Sequence, residues 1–208
     1  MRVALAIPLV FHLAIPLIAV AMAMAILAGC TGLRPSQFDG ATPAFDPVAY
    51  LEGPTRSWGV VETRGGEPRR RFRTAMLGVR DGDALVVTQD FTFDDGTTRR
   101  RVWRLRQVDA HRYDATASDV IGIATGYAYG NTFRWQYTLQ VTAGNPLTRV
   151  RMQHWMYLVD GGDTLVNRVV IRKFGAIVGG TTEYFRRGAG ETASVGPAAS
   201  GSLAPPPW

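Results

Sequence analysis

The sequence predicts an all-β domain, an antiparallel up-and-down barrel of about ten strands, with a two-sheet β-sandwich as the alternative. Three observations predict it. Turn signals recur along the chain at Gly65-Gly66, Asp81-Gly82, Asp95-Gly96, Asp109-Ala110, Gly130-Asn131, Gly144-Asn145 and Gly161-Gly162. Asp-Gly and Gly-Asn supply the positive φ angles that tight hairpins need. The segments between these signals alternate apolar and polar residues, the period of a strand with one buried face. Finally, Cys30 is the only cysteine, so no intramolecular disulfide staples the domain. A closed barrel is the most economical way to leave so many strands without an exposed edge.

Residues 1–29 carry a single charge, Arg2, followed by an apolar run from Val3 to Gly29. A positive start, an apolar core and small residues before a break describe a secretory signal. Leu27-Ala28-Gly29-Cys30 resembles the bacterial lipobox, in which the cysteine becomes the new N-terminus and carries a thioether-linked diacylglyceryl group and an amide-linked acyl chain such as palmitate. The expected organisation is therefore a lipoprotein signal peptide over residues 1–29, then lipidated Cys30 and a tether over residues 30–42. Several acyl chains on one residue satisfy the two-signal requirement for stable anchoring. The partner so implied is a lipid bilayer. Thr31 is not the aspartate that retains lipoproteins at the inner membrane, so the expected address is the periplasmic face of the outer membrane in a bacterial cell envelope. The competing reading is an uncleaved transmembrane helix, since Val3 to Gly29 is long enough to span a bilayer.

Residues 43–187 hold the strands. Ala84–Phe93 places Leu85, Val87, Phe91 and Phe93 on one side. Thr132–Val141 is the clearest strand, with Phe133, Trp135, Tyr137, Leu139 and Val141 alternating with polar neighbours. Val150, Met152, Met156 and Leu158 make another stripe with His154 among them; Leu165, Val169 and Ile171 make a further one around Asn167. Residues 173–180 read as a short helix or a loop before a last strand over residues 181–187. Residues 188–208 are rich in Gly, Ala, Ser and Pro and end Pro205-Pro206-Pro207-Trp208, the composition of a disordered tail.

The formal net charge is +6, and Lys173 is the only lysine, so the basic character is arginine. The densest runs are Arg69-Arg70-Arg71 with Arg73, and Arg99-Arg100-Arg101 with Arg104 and Arg106. Export removes nucleic acid as a partner. Two readings of these runs remain: outward-facing residues that keep strands soluble, or attraction to lipid phosphates.

Catalytic patterns are missing. His111 and His154 have no histidine at a ligand spacing, so neither metal nor cofactor is expected. His154 reads as a hydrogen-bonded core residue and His111 as a solvated one. No Gly-x-Ser-x-Gly occurs, and Asp94, Asp95, Asp160 and Asp163 fall where turns favour aspartate. The chain thus reads as a non-enzyme with an aromatic-rich interior. The candidate ligand-binding residues are Trp58, Trp103, Trp135, Tyr137, Trp155, Asn167 and Arg168, of which Asn167 and Arg168 have opposite parity, so only one points inward. A fatty acid, a phospholipid or a similar amphiphile is the expected occupant. The alternative is a non-catalytic envelope protein acting through protein–protein contact along its arginine-rich faces.

Several segments together resemble the DUF3833 family of uncharacterised bacterial lipoproteins. They include Phe38-Asp39-Gly40 with Pro43-Ala44-Phe45-Asp46, Ser57-Trp58-Gly59, and Asp90-Phe91-Thr92-Phe93-Asp94-Asp95-Gly96. Trp155-Met156-Tyr157-Leu158, Thr164-Leu165-Val166-Asn167-Arg168 and Lys173-Phe174-Gly175 extend the likeness to about Phe185. The resemblance implies a lipocalin-like barrel and supports the lipoprotein reading, with no established activity attached. Gln89 stands where that family leads one to expect an acidic residue.

Overall fold

A computed structural model describes residues 32–188. The signal segment, Cys30 and the tail beyond residue 188 lie outside them. So does the apolar run weighed as a transmembrane helix; among the described residues no helix is long and apolar enough to cross a membrane.

Ten antiparallel strands form one closed barrel in chain order, with the first sealed against the last. They are β1 (Gly53–Thr63), β2 (Pro68–Asp81), β3 (Ala84–Phe93), β4 (Thr98–Gln107), β5 (Arg112–Thr116), β6 (Val120–Tyr129), β7 (Thr132–Gln140), β8 (Arg149–Val159), β9 (Thr164–Lys173) and β10 (Ala176–Arg187). This decides between barrel and sandwich. Gly82 and Gly96 take φ of 61° and 81° in the predicted Asp-Gly turns, where a side chain would be strained. The alternation read from β3, β7, β8 and β9 holds: Leu85, Val87, Phe133, Trp135, Tyr137, Leu139, Val150, Leu158, Leu165, Val169 and Ile171 are all buried.

Two expectations need revision. Residues 173–180 are neither helix nor loop: β9 runs to Lys173, and β10 begins at Ala176 after a two-residue turn. A register shift between Ile177 and Gly179 hid its period. The stretch expected as a tether, residues 30–42, lies partly within the described residues, and its later part packs on the barrel. A 3-10 turn at Pro35–Phe38 sets the Phe38 ring 6.2 Å from Trp155 and 5.9 Å from Tyr157, on the outer face of β8. A short helix precedes β1.

That helix, α1 (Pro47–Leu51), closes one end of the barrel. Asp46 caps it, its side chain accepting from the Val48 and Ala49 amides at 2.9 and 3.2 Å, and Pro47 fits the first turn, where no amide is needed. The Phe45 amide donates to the Gly130 carbonyl at 2.8 Å, pinning the segment to the β6–β7 turn. Phe45 then meets Tyr50 and Phe133 edge-on at 5.5 and 6.0 Å. The Tyr50 hydroxyl lies within reach of the carbonyls of Asp163 at 3.2 Å and Phe185 at 3.3 Å. Gly78 on β2 leaves room for the plug: any Cβ there would run into the Leu51 carbonyl. The opposite end carries the β1–β2, β3–β4, β5–β6, β7–β8 and β9–β10 turns.

Candidate functional site

The barrel is hollow. A cavity of about 800 Å³ runs from the plug residues Phe45 and Leu51 to the β3–β4 turn at Asp94–Thr98. Its wall is mostly aliphatic and aromatic, with Phe72, Met76, Phe91, Trp103, Phe133, Trp135, Met152 and Met156 facing it. Trp103 stands edge-on to Trp135 at 5.8 Å and to Tyr137 at 5.2 Å. Two glycines make space for these rings: a Cβ on Gly126 would strike Phe133 and Trp135, and one on Gly59 would strike Phe72.

Two polar clusters interrupt this wall. The first is charged. Arg99 and Arg101 alternate along β4 with exposed Arg100 and share the parity of Trp103 and Leu105, so both line the cavity. Both reach Asp119, at the β5–β6 turn. Arg101 binds it in a fork, Nε to Oδ1 at 2.9 Å and Nη2 to Oδ2 at 2.8 Å, and Arg99 donates to the same carboxylate. Arg101 keeps only 7% of its surface exposed and its guanidinium lies 5.4 Å over Trp103. Burial works against its charge, but Tyr137 and Asp119 beside it prevail and raise its pKa. The pKa of Arg99 is lowered, by burial first and by Arg101 second. Two cations thus share one anion, leaving a surplus positive charge against an apolar space.

The second cluster is a hydrogen-bonded row across β2, β1, β10, β9 and β8. The Ser57 and Thr74 hydroxyls are hydrogen-bonded at 2.5 Å, and the Ser57 hydroxyl donates to Glu183 Oε1 at 2.6 Å. Those two contacts leave Ser57 one proton for two neighbours, so Thr74 donates. The Asn167 amide donates to Glu183 Oε2 at 3.0 Å and to His154 Nδ1 at 3.2 Å. An accepting Nδ1 assigns the ring proton to Nε2. Burial pushes Glu183 up to about 7, against the opposing bonds from Ser57 and Asn167. Burial also lowers His154 to about 3, so its ring stays neutral. His154 Nε2 and Asn167 Oδ1 are buried without a hydrogen-bond partner among the described residues, a donor and an acceptor on adjacent strands.

Of the seven candidate residues, Trp103, Trp135, Tyr137 and Asn167 line the cavity. The other three, expected inside, face outward. Trp58 stacks on Tyr184 at 5.1 Å on the outer surface, and Trp155 stacks on Tyr157 at 6.4 Å under Phe38. Arg168 takes the outward parity that its neighbour Asn167, fully buried, leaves to it. His111 is not simply solvated: its ring stacks on Tyr129 at 4.0 Å, with Nδ1 2.9 Å from the Ala128 carbonyl. The reading of Arg99–Arg101 as wholly outward is wrong for two of the three. The missed signal is the alternation Arg99, Arg101, Trp103, Leu105. The arginines that do face outward include Arg100 and Arg104, which pair with Asp90 and Asp81. Among the described residues no group of three or more His, Cys, Asp or Glu is arranged to hold a metal ion.

A family model described as "Protein of unknown function (DUF3833)" matches residues 24–187. No curated protein matches the chain. Among solved structures, the S-type phycobiliprotein lyase CPES from Guillardia theta is similar at 8% identity with a TM-score of 0.52, over 69% of this chain and 92% of that one. Rv2717c from M. tuberculosis is similar at 15% identity and a TM-score of 0.49, over 72% of this chain and 99% of that one. A redesigned β barrel, mFAP1, bound to DFHBI, is similar at 11% identity and a TM-score of 0.38, over 67% of this chain and 97% of that one. At such identities the likeness to the Guillardia theta protein establishes the fold, a lipocalin-like barrel, and nothing of activity.

Proposed function

Because this chain belongs to the DUF3833 family, whose description assigns no role, we propose one from the barrel's interior: it binds an acidic amphiphile in the cavity, as a carrier or receptor. The observation that carries this reading is the surplus guanidinium charge of the Arg99–Asp119–Arg101 cluster, buried against a hollow, largely apolar interior. Small-molecule sites enclose roughly 300–1,000 Å³ with a few placed polar groups, and this cavity falls within that range. A carboxylate or phosphate would pair with the arginines, which suit planar and tetrahedral oxyanions. The apolar tail would run along Trp103, Trp135 and Phe133 toward the plug. His154 and Asn167 line the same cavity, so a neutral polar row would lie beside a hydroxyl or carbonyl farther along the ligand.

Displacement of a fluorescent fatty acid from the purified protein tests this reading. Submicromolar binding that weakens at least tenfold in Arg101→Met, while a neutral long-chain alcohol binds both proteins alike, is the expected result. No displacement by any acid, with native mass spectrometry showing no bound lipid, overturns it.

Acylation at Cys30 would hold such a barrel at a bilayer, at the outer membrane by the Thr31 argument. Cell fractionation of Cys30→Ser tests this: the expected outcome is loss of the acylated mass. A wild-type chain that retains its unprocessed, unmodified mass would refute it.

A further inference from the structure

The rim of the open end carries a feature that the cavity does not use. Phe174 is 86% exposed and Leu147 is 68% exposed, the two highest values among the large hydrophobic residues described. Phe174 sits at the tip of the β9–β10 hairpin with φ of 49°, where a glycine or asparagine is expected and a bulky apolar residue is strained. Leu147 sits in the β7–β8 connection, in a 3-10 turn capped by Asn145. Because β8 pairs with β9, these two connections stand side by side.

Their charge is one-sided. Residues 140–151 and 171–179 contain Arg149, Arg151, Arg172 and Lys173 and no aspartate or glutamate. The hydrogen-bond partners of the three arginines are neutral: Gln140 for Arg149, Gln136 for Arg151, and Gln153 and the Gly175 carbonyl for Arg172. Arg151 lies directly across from Arg172 in the β8–β9 register, a like-charge pair that is unfavourable unless an external anion lies over it. Elsewhere on the surface, Arg70, Arg80, Arg100 and Arg104 each hold a carboxylate. Exposed apolar tips amid unneutralised cations match the headgroup layer of an anionic bilayer, which takes up apolar side chains and attracts Lys and Arg.

We infer that the β7–β8 and β9–β10 hairpins dock the barrel's open end onto an anionic lipid surface, with Phe174 and Leu147 entering the headgroup layer. The four cations then lie against lipid phosphates, and the mouth of the cavity meets the source of an amphiphile. The inference does not require the cavity to be loaded, so it stands or falls separately from the proposed binding activity.

Hydrogen exchange of the full-length protein tests it, reconstituted into vesicles of phosphatidylcholine with phosphatidylglycerol and into vesicles of phosphatidylcholine alone. Exchange at peptides covering residues 142–149 and 172–178 should slow several-fold in the anionic vesicles, and high salt should relieve the effect. A double substitution, Leu147→Ser with Phe174→Ser, should abolish that slowing while β7 peptides keep their protection, which shows that the barrel remains folded. Equal exchange at these hairpins in both vesicle types overturns the inference. So does protection confined to the β2–β3 and β6–β7 turns at the other end, or to the outer Trp58–Tyr184 face.

Discussion

At one end of the barrel Phe45, Tyr50, Tyr113 and Phe133 meet edge to face beneath α1. At the other, Phe174 and Leu147 stand in solvent, and turns are tied by local polar bonds such as the Thr97 amide donating to Asp95 at 2.9 Å. Burial at the plugged end pushes the Tyr50 and Tyr113 hydroxyls up to about 12, the mark of groups removed from water. At the open end, hydrogen bonds from Thr97 and then Arg70 draw the exposed Asp95 down to about 2. The contrast teaches that folding free energy is concentrated where the ring of strands is stoppered. The unstoppered rim contributes little and so is free to present chemistry that folding does not need.

Substitutions can break or sharpen that contrast. Phe45→Ala should have the largest effect, lowering stability by about 3–5 kcal/mol, as truncating a buried phenylalanine does, with denaturant titration as the measurement. A loss under about 1 kcal/mol would show that the plug is only draped over the barrel.

Glu183→Gln probes the middle of the barrel through its pH dependence. The Glu183 carboxyl is raised from 4.5 to about 7 in the folded protein, so over that interval the folded chain binds more protons than the unfolded one. Stability attributable to Glu183 is therefore present below about 4.5 and is lost as pH rises through about 7. The glutamine variant should gain on the wild type by about 3 kcal/mol across that window, read from denaturation midpoints at several pH values. His154, held neutral down to about 3, works in the opposite sense in both proteins and cancels in the difference. A pH-independent difference would mean that Glu183 ionises normally.

Gly78→Ala should cost about 1–3 kcal/mol, because the new methyl group must push the Leu51 carbonyl and its helix outward. Phe174→Gly should act in the reverse direction, raising stability by at most about 1 kcal/mol as backbone strain is relieved. If Phe174→Gly instead destabilised the barrel by several kcal/mol, the rim would be part of the core, and the distinction between the ends would fail.

The barrel was legible in the sequence because its clearest strands, β3, β7, β8 and β9, carry an inward apolar stripe at period two and because Asp-Gly and Gly-Asn turns separate them. The site was legible only in part, and the failures share a cause. On β1 the amphipathic pattern is inverted: the inward residues are Thr55, Ser57 and Gly59, kept small or polar for Glu183 and the Phe72 ring, while Trp58 faces out. A rule that places aromatic residues inside therefore misassigns Trp58, and Trp155 with it, since Phe38 arrives from outside to cover that ring. On β4 the same inversion turns Arg99 and Arg101 inward. Read as a charge run, Arg99-Arg100-Arg101 suggests solvent; read by parity with Trp103 and Leu105, it places two of the three inside. The α1 plug was missed because five helical residues carry no period to detect, although Asp46-Pro47 is a good start signal.

The seam between β1 and β10, registered from Thr55 opposite Arg187 to Thr63 opposite Gly179, has a kinetic corollary. Every strand is bonded to two neighbours, but β4 meets β5 only from Arg104 to Gln107, so beside Arg99–Trp103 the wall is closed by the Asp119 side-chain cluster and not by a ladder. With α1 across one end, a bound molecule would leave through the other, beside that unladdered stretch of β4. Residence time would then be governed by how the rim turns yield rather than by the strength of the ladders.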